Sequence, residues 1–326
     1  MAPATVAAGR RTLSPRELSA QLVLLPLAAA ALLAVPFIGT PTFTATLLNE
    51  ALIYAIWALS LDLLVGFTGL VSFGHAAGFG LATYAAGYFA REVSADFLLT
   101  LAVSEGVVVA VALVAGFIAT RVSGVAFAII SLAVCQVLFQ IAVGWRSVTQ
   151  GMDGLVGVPL PRLFGRAIAM GPAFYTLSAV LLVTSYLALR WLVGSPFGRT
   201  LAAIRSSELR AAAVGIDVRL HKWAAVVISW AVAGVAGTLF VFMKAGTTPM
   251  VLHWSESGNV LAMTIFGGLG TLLGPVAGAV AFVFLRDELT THTQAWQFGF
   301  GLVFVLVVIL FPNGLAGVAG RLWSRS

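Results

Sequence analysis

GFTGLVSFGHAAGFGLATYAAG, Gly66 to Gly87, is apolar enough to sit in a membrane, yet six of its residues are glycine and it holds a histidine, His75. A helix that only faces lipid has no use for that much glycine. Backbones that approach each other closely, or break and line a path, do. The stretch therefore predicts the inner lining of a membrane protein, and of a transport route.

Composition points the same way. Hydrophobic residues make up 60% of the 326-residue chain and charged residues only 9%, against about a quarter charged in a soluble protein. Long apolar runs recur along almost the whole length and leave no room for a sizeable soluble domain. The expected fold class is all-α, a single polytopic helical membrane domain over 20–318. The runs are continuous rather than alternating, which excludes a β-barrel. The net charge of +6 does not imply nucleic acid, because the basic residues lie mostly between apolar runs, where membrane topology accounts for them. The lone Cys135 lies inside the run Val125 to Val143. It cannot form an intramolecular disulfide and reads as a small packing residue. Arg10 and Arg11 precede the apolar run Leu22 to Ile38 in the manner of a signal peptide. Further spans follow with no mature soluble domain, so an uncleaved first helix is the reading.

Six spans are expected near 20–39, 46–65, 70–90, 97–119, 124–143 and 172–193. The polar segment 194–222 then carries Arg199, Arg205, Arg210, Arg219 and Lys222. The positive-inside rule makes it cytoplasmic, like the segment 1–19 with Arg10, Arg11 and Arg16. Further spans are expected at 223–243 and 295–312, and the tail 319–326, with Arg321 and Arg325, is also placed inside. Parity then requires that Ser257 to Leu285 be a hairpin or broken helix divided at Gly267 to Pro275, GGLGTLLGP, giving about ten spans with broken or re-entrant segments. On that scheme twelve of the eighteen Lys and Arg lie inside. The outside loop 144–171, with Arg146, Asp153, Arg162 and Arg166, is rich in Gly and Pro and is expected to be irregular. Its charges suit an acidic patch on a partner or anionic headgroups.

Residues 196–215, PFGRTLAAIRSSELRAAAVG, read as one short basic amphipathic helix, begun by Pro196 and ended by Gly215. Leu201, Ile204, Leu209 and Ala212 can share its apolar side, with Arg205, Ser206 and Arg210 away from it. Such a helix either lies on lipid headgroups or docks into a groove on a soluble partner. No G-x-x-x-x-G-K-[ST] sequence exists, and the only lysines are Lys222 and Lys244. A chain that pumps without a P-loop draws on a separate subunit or an ion gradient.

Four stretches now carry a family resemblance: LDLLVGFTGLVSFGHAAGFG at 61–80, TQGMDGLVGVP at 149–159, FGRTLAAIRSSELRAAAVGID at 197–217 and FGGLGTLLGPVAGA at 266–279, with FPNGLAG at 311–317. In this order they resemble permease subunits of bacterial ATP-binding-cassette importers for branched-chain amino acids, the LivM/LivH family. The resemblance implies a multi-pass protein of the bacterial cytoplasmic membrane with both termini inside. It implies a second homologous permease in a heterodimer, two cytoplasmic ATP-binding subunits and an extracytoplasmic solute-binding protein. It makes 197–217 the coupling segment, with Gly198, Leu201, Ile204, Arg205, Glu208 and Gly215 at the ATPase contact. The family signature E-A-A-x-x-x-G has Glu six residues before Gly, whereas Glu208 and Gly215 are seven apart. Related importers carry urea, amides or other amino acids, so the solute stays open.

Asp62 and His75 are the ionisable groups expected at membrane depth. One reading is a proton relay in a secondary transporter. The other is structural: the family generally shows Asn in place of Asp62, which suits a polar contact steadying the broken segment, and His75 after Gly74 suits a cap or an inter-helix hydrogen bond. Ser72, Gly74, His75 and Tyr84, with Asp62, are the candidate path-lining residues. Gly74 and Gly78, like Gly274 and Gly278, form G-x-x-x-G pairs that also serve close helix crossing. The run Gly268 to Gly274 lacks the spacing and context of a dinucleotide fingerprint. No metal-ligand spacing and no catalytic triad arrangement occurs, so neither a metal, a cofactor nor an enzymatic activity is expected.

Overall fold

The computed structural model describes residues 42–292, 295–310, 314, 315 and 317. The expected first span at 20–39, the segments 1–19 and 319–326 and part of FPNGLAG lie outside the described residues.

The centre of the bundle is α1, Thr42–Asp62, continued by one π-helical turn, Leu63–Thr68. It is apolar on every side, and a helix without a polar face belongs in a core. Within Phe43–Thr68 the residues from Asn49 to Gly66 are all buried. Gly69, at φ 79, ends the turn by donating its N–H to the Leu64 carbonyl. Helix α2, His75–Glu92, begins only after a non-helical passage, so the expected span 70–90 loses its first turn. Two long helices follow, α3 (Phe97–Ala119) and α4 (Val125–Gly144).

The loop expected to be irregular holds more order than that. It contains α5 (Arg146–Thr149), a 3-10 turn (Gly151–Asp153) and three two-residue strands, β1 (Leu155–Val156), β2 (Arg162–Leu163) and β3 (Arg166–Ala167). Strands β2 and β3 pair as a hairpin, and β1 pairs antiparallel with β4, Gly246–Thr247, in the register Leu155 opposite Thr247. The loop is thereby fastened to the chain at Gly246–Thr247.

Helix α6 (Pro172–Gly194) leads into an elbow of two short helices, α7 (Pro196–Ser206) and α8 (Glu208–Ala213), and then into α9, Val218–Lys244. Helix α9 packs on α1, α2 and α3. Its crossing with α2 is as close as backbones allow. A Cβ on Gly237 would lie 2.2 Å from the Phe79 carbonyl oxygen, and one on Gly78 would lie 3.0 Å from the Trp230 ring. Within 66–87 this crossing accounts for Gly78 and, through Val241, in part for Gly87.

Helices α10 (Trp254–Gly267) and α11 (Leu273–His292) form the expected broken pair, and α12 is Trp296–Leu310. The break occupies 268–272, where Gly268, Gly270 and Leu272 all have positive φ. A Cβ on Gly278 would lie 2.0 Å from the Met263 carbonyl oxygen, so the two helices meet backbone to backbone. At about 1.5 Å per residue the 14 residues of α10 reach about 21 Å, short of the about 30 Å hydrocarbon core. Among the described residues, five segments are long and apolar enough to cross a membrane: Phe43–Thr68, α3, α4, α6 and α9. Leu113, Val114, Ile129, Val137 and Trp191 stand exposed on α3, α4 and α6, the outward apolar face a lipid or a neighbouring subunit would cover.

Candidate functional site

The elbow is built by three caps in close succession. Ser195, Ser207 and Asp217 each accept a backbone N–H with their side chains, from Gly198 at 3.4 Å, Arg210 at 3.3 Å and Leu220 at 2.9 Å. Each cap starts a helix, so the single helix expected over 196–215 is corrected to two. Ser207 is extended at φ −171, and that break separates Leu209 from Leu201 and Ile204. Leu201 and Ile204 are buried within this chain, whereas Leu209 and Val214 are 84% and 77% exposed. Gly198 lies where a Cβ would be 2.2 Å from the Val193 carbonyl oxygen, tight against the end of α6. Gly215, at φ 87, closes α8, and the Ile216 N–H returns to the Ala211 carbonyl, as its position predicts.

Two side chains tie the elbow to the bundle. Glu208 accepts from Lys222 Nζ at 2.8 Å and from Ser123 Oγ at 2.6 Å, and Lys222 also donates to Ser123 Oγ at 2.7 Å. The Lys222 side chain is only 2% exposed, so Glu208 is its counter-charge. Partial burial pushes the Glu208 carboxyl up, but the bonds from Lys222 and Ser123 and the lysine charge outweigh it, holding the group below its ordinary value. Arg205, read from the sequence as facing away from the apolar side, instead donates through Nη1 to the Gly66 carbonyl inside the π-helical turn. Its stem runs along Gly69, where a Cβ would lie 3.1 Å from Arg205 Cγ.

Behind Gly66 stands Asp62, fully buried. Its Oδ1 accepts from the Gly270 N–H at 2.7 Å and its Oδ2 from the Leu272 N–H at 3.2 Å. Both oxygens therefore serve as acceptors for the turn between α10 and α11, as an ionised carboxylate can. A side chain on Gly66 would strike this carboxylate, with a Cβ 2.1 Å from Asp62 Oδ1 and 2.5 Å from Gly270 N. Elbow, π-helical turn, Asp62 and hairpin turn form one connected unit. A π-helical turn of this kind frequently sits at a functional site.

The other sequence candidates sit apart from it. His75 Nε2 lies 2.7 Å from Ser60 Oγ, and Ser60 Oγ donates to the Trp57 carbonyl at 2.6 Å. The serine proton is thus committed, which makes Nε2–H the donor and leaves Nδ1 bare. Nδ1 has no partner among the described residues. This is the inter-helix bond expected of His75, and no hydrogen bond among the described residues joins it to Asp62. Ser72 accepts from the Gly74 N–H at 3.3 Å. Gly74 packs where a Cβ would lie 2.4 Å from the Ser131 carbonyl oxygen. Tyr84 is buried, and its hydroxyl is without a partner among the described residues. The start of α2 is pinned by serines that sequence reasoning passed over: Ser131 Oγ accepts from the Phe73 N–H and Ser257 Oγ from the Ala76 N–H. Among the described residues no group of three His, Cys, Asp or Glu side chains could hold a metal.

At the other end of α9 the missed residues are charged. Glu50 accepts from Arg286 Nη2 at 2.5 Å and from Lys244 Nζ at 2.9 Å. Beside them Tyr54, Trp57, Phe79, Phe240, Glu256 and Arg286 line a partly open cavity of about 210 Å³. Polar residues inside apolar runs were the available signal, and Glu50, Glu256 and Arg286 carry it as clearly as Asp62 does.

Comparison with known proteins then adds the following. The family model described as "Branched-chain amino acid transport system / permease component" matches residues 43–311. The chain is 26% identical over 295 residues to the high-affinity branched-chain amino acid transport system permease protein LivM of Escherichia coli strain K12, covering 83% of this chain and 69% of that one. It is also 26% identical over 287 residues to the protein of the same name in Salmonella typhimurium, covering 81% and 68% respectively. A probable branched-chain amino acid transport permease protein LivH of Methanocaldococcus jannaschii matches over 47% of this chain and 53% of its own length, at 26% identity. No solved structure matches the chain significantly.

Proposed function

We propose, from the premise that this chain belongs to the branched-chain amino acid transport system permease family, that it is the transmembrane permease subunit of an ATP-binding-cassette importer. It passes an amino acid, branched-chain on the family pattern, into the cytoplasm. It works with a second homologous permease, two cytoplasmic ATP-binding subunits and an extracytoplasmic binding protein. In this reading the chain crosses the bacterial inner membrane about ten times, with α10 and α11 as separate passes and both termini cytoplasmic. The elbow α7–α8 is the ATPase contact, and the loop 144–171, with exposed Arg146, Arg162, Arg166 and Phe164, faces the binding protein.

The observation that carries the reading is the elbow's two-sidedness. One side is seated on the subunit by buried Leu201 and Ile204 and tied to it by the bonds of Arg205 and Glu208, while Leu209 and Val214 present apolar surface to the outside. An apolar rim on a short helix that is anchored from behind suits insertion into a groove on a partner. Docking therefore runs through Leu209 and Val214, with Leu201 and Ile204 as anchors.

Cysteine cross-linking tests this. The chain's only cysteine, Cys135, is buried and donates to the Leu252 carbonyl at 3.0 Å, so Cys135→Ser gives a silent background. Cysteines at 209, 210 and 214 are expected to give adducts with the ATP-binding subunit in the assembled complex. Adducts with lipid probes alone would remove the coupling assignment. Uptake by the reconstituted chain alone, driven by a proton gradient, would replace the importer reading by the secondary transporter. Binding assays on the cognate binding protein identify the solute, and a urea-specific result would remove amino acids.

A further inference from the structure

The cavity at the far end of the bundle from the elbow has a composition that the packing of helices does not require. Its floor is aromatic. Trp57 and Phe79 stack with ring centroids 4.2 Å apart, and Phe240 meets Phe79 edge-on at 5.2 Å. Its wall carries both signs of charge, with Glu256 and Arg286 lining the same space and Asn259 beside them.

Neither charged group is saturated among the described residues. Arg286 gives one N–H to Glu50 at 2.5 Å and one to the Tyr54 hydroxyl at 3.5 Å. A guanidinium has five such donors, which leaves three without a partner among the described residues. Glu256 accepts one bond, from Asn259 Nδ2 to Oε2 at 3.3 Å, so Oε1 is unengaged among the described residues. Glu50 bonds both Arg286 and Lys244, one negative charge against two positive ones. Glu256 makes the group of four neutral without a hydrogen bond to either cation among the described residues, so its carboxylate and the guanidinium both stay open to a ligand. A charge kept inside a membrane bundle is costly and marks a path or a ligand. At about 210 Å³ the space is smaller than the about 300–1,000 Å³ that takes a drug-sized ligand, so its occupant is small.

We propose that this cavity is a binding site for a single α-amino acid with an apolar side chain. The free N–H groups of Arg286 take the carboxylate, Glu256 takes the ammonium, and Trp57, Phe79 and Phe240 take the side chain. A neutral solute would use neither charge, and a simple ion would use one and leave the other stranded; a zwitterion uses both. The proposal rests on the amino-acid transport reading and gives it a site within this subunit.

The full chain in lipid nanodiscs, with Trp57 fluorescence as readout, tests it. The probes are L-leucine, 3-methylbutylamine (leucine without its carboxylate), 4-methylpentanoate (leucine without its ammonium) and urea. Leucine is expected to give a saturable change that Trp57→Phe abolishes. Each single-charge analogue is expected to bind at least about tenfold more weakly, since each forfeits a charge-assisted hydrogen bond. Glu256→Gln, which keeps the Asn259 contact, and Arg286→Lys, which keeps a charge for Glu50, are expected to weaken leucine by a similar factor. Because the analogues are compared on the unaltered chain, a variant that fails to fold does not blunt the test. No saturable response to leucine, equal binding of leucine and urea, or undiminished binding in both variants would overturn the site. Uptake by the assembled transporter is measured separately. Leucine uptake without binding at the cavity defeats the site alone, whereas binding at the cavity with no amino-acid uptake defeats the transport reading alone.

Discussion

Asp62→Asn is the substitution on which the structural account is most exposed. Asp62 holds the α10–α11 turn by accepting from the Gly270 N–H at 2.7 Å and the Leu272 N–H at 3.2 Å. Asparagine offers one oxygen and one NH₂ in their place. With the oxygen turned to Gly270, that bond falls from about 1.5–3 kcal/mol for a charged acceptor to about 0.5–1.5 for a neutral one. The NH₂ then faces the Leu272 N–H, donor against donor, and the second bond is lost. Leu272 is held at φ 57 without being glycine, a conformation that costs about 1 kcal/mol or more and persists only where its surroundings impose it. The sum is a loss of about 2–4 kcal/mol for Asp62→Asn, and about 3–5 for Asp62→Ala, which strands both amides. Adding Leu272→Gly to Asp62→Asn is expected to deepen the loss by about 1–4 kcal/mol: glycine takes positive φ without strain, worth about 1 kcal/mol, but Leu272 is only 5% exposed, and removing a buried leucine side chain costs about 2–5 kcal/mol. Equilibrium unfolding of the purified chain in mixed micelles titrated with SDS measures all three. If Asp62→Asn unfolds within about 0.5 kcal/mol of the unaltered chain, the size of an ordinary surface change, the fastening role is refuted.

Gly66→Ala is expected to cost about 3 kcal/mol in the same titration, the upper end of overpacking, because its Cβ would lie 2.1 Å from Asp62 Oδ1 and 2.5 Å from Gly270 N. Arg205→Ala is expected to cut transport per ATP hydrolysed about tenfold, the worth of one charged hydrogen bond. Arg210→Ala is expected to stay within about twofold, since Arg210 reaches only the Ser206 carbonyl of its own elbow; uptake and ATPase assays on the assembled complex decide. The Glu208 carboxyl titrates lower in the folded chain than in the unfolded one, so its contribution is present above the unfolded value of about 4.3 and is lost as pH falls through the folded value. A spin label at Ala212→Cys is expected to report an immobile elbow from about pH 7 down to the ordinary carboxyl range, with mobility rising only below it. A mobility change centred near pH 6 would contradict the Glu208–Lys222 anchor.

The helical bundle was legible because lipid imposes one rule on every span: a run of apolar residues long enough to cross. The expected 97–119 coincides with Phe97–Ala119, and 124–143 and 172–193 fall within a residue of Val125–Gly144 and Pro172–Gly194. The break within GGLGTLLGP was legible too, since only a turn uses glycine at that density. The elbow was read at the wrong level. Its apolar spacing fits one helix, but Ser207 between Ser206 and Glu208 is a cap, and a cap resets the helical phase. Leu201 and Leu209 then cease to share a face, and Leu201 and Ile204 report on the folding of this subunit rather than on a partner. The site needed what no local pattern carries: Asp62 meets Gly270 and Leu272 across more than two hundred residues, and Glu50 meets Lys244 and Arg286 over similar separations. Pattern marks such residues as costly in a membrane and does not say which other element neutralises them.

The two halves of the elbow lead to different parts of the bundle. Helix α8 is tied by Glu208 to Ser123, in the turn between α3 and α4, and to Lys222 in the first turns of α9. Helix α7 is seated on the bundle by Leu201 and Ile204 and tied by Arg205 to Gly66, and so through Asp62 to the α10–α11 turn. Between them Ser207 is extended and outside both helices, the one place where the halves can change their angle without breaking a helical hydrogen bond. On the proposed reading, a partner that displaces Leu209 and Val214 acts first on α8, and the displacement reaches α9 directly through a buried lysine. It reaches the hairpin only through Ser207 and Arg205. Helix α9 runs its 27 residues, about 40 Å at about 1.5 Å each, from the elbow to the aromatic cavity, where Phe240 lies in the wall. The α10–α11 turn sits at the elbow end, while Glu256 and Arg286 on the same two helices sit at the cavity end. Both routes out of the elbow thus end on walls of the same small space. A movement that shifts α9 against the α10–α11 pair changes the distance between its aromatic and its charged sides, which is the change that would take hold of a bound solute or let it go.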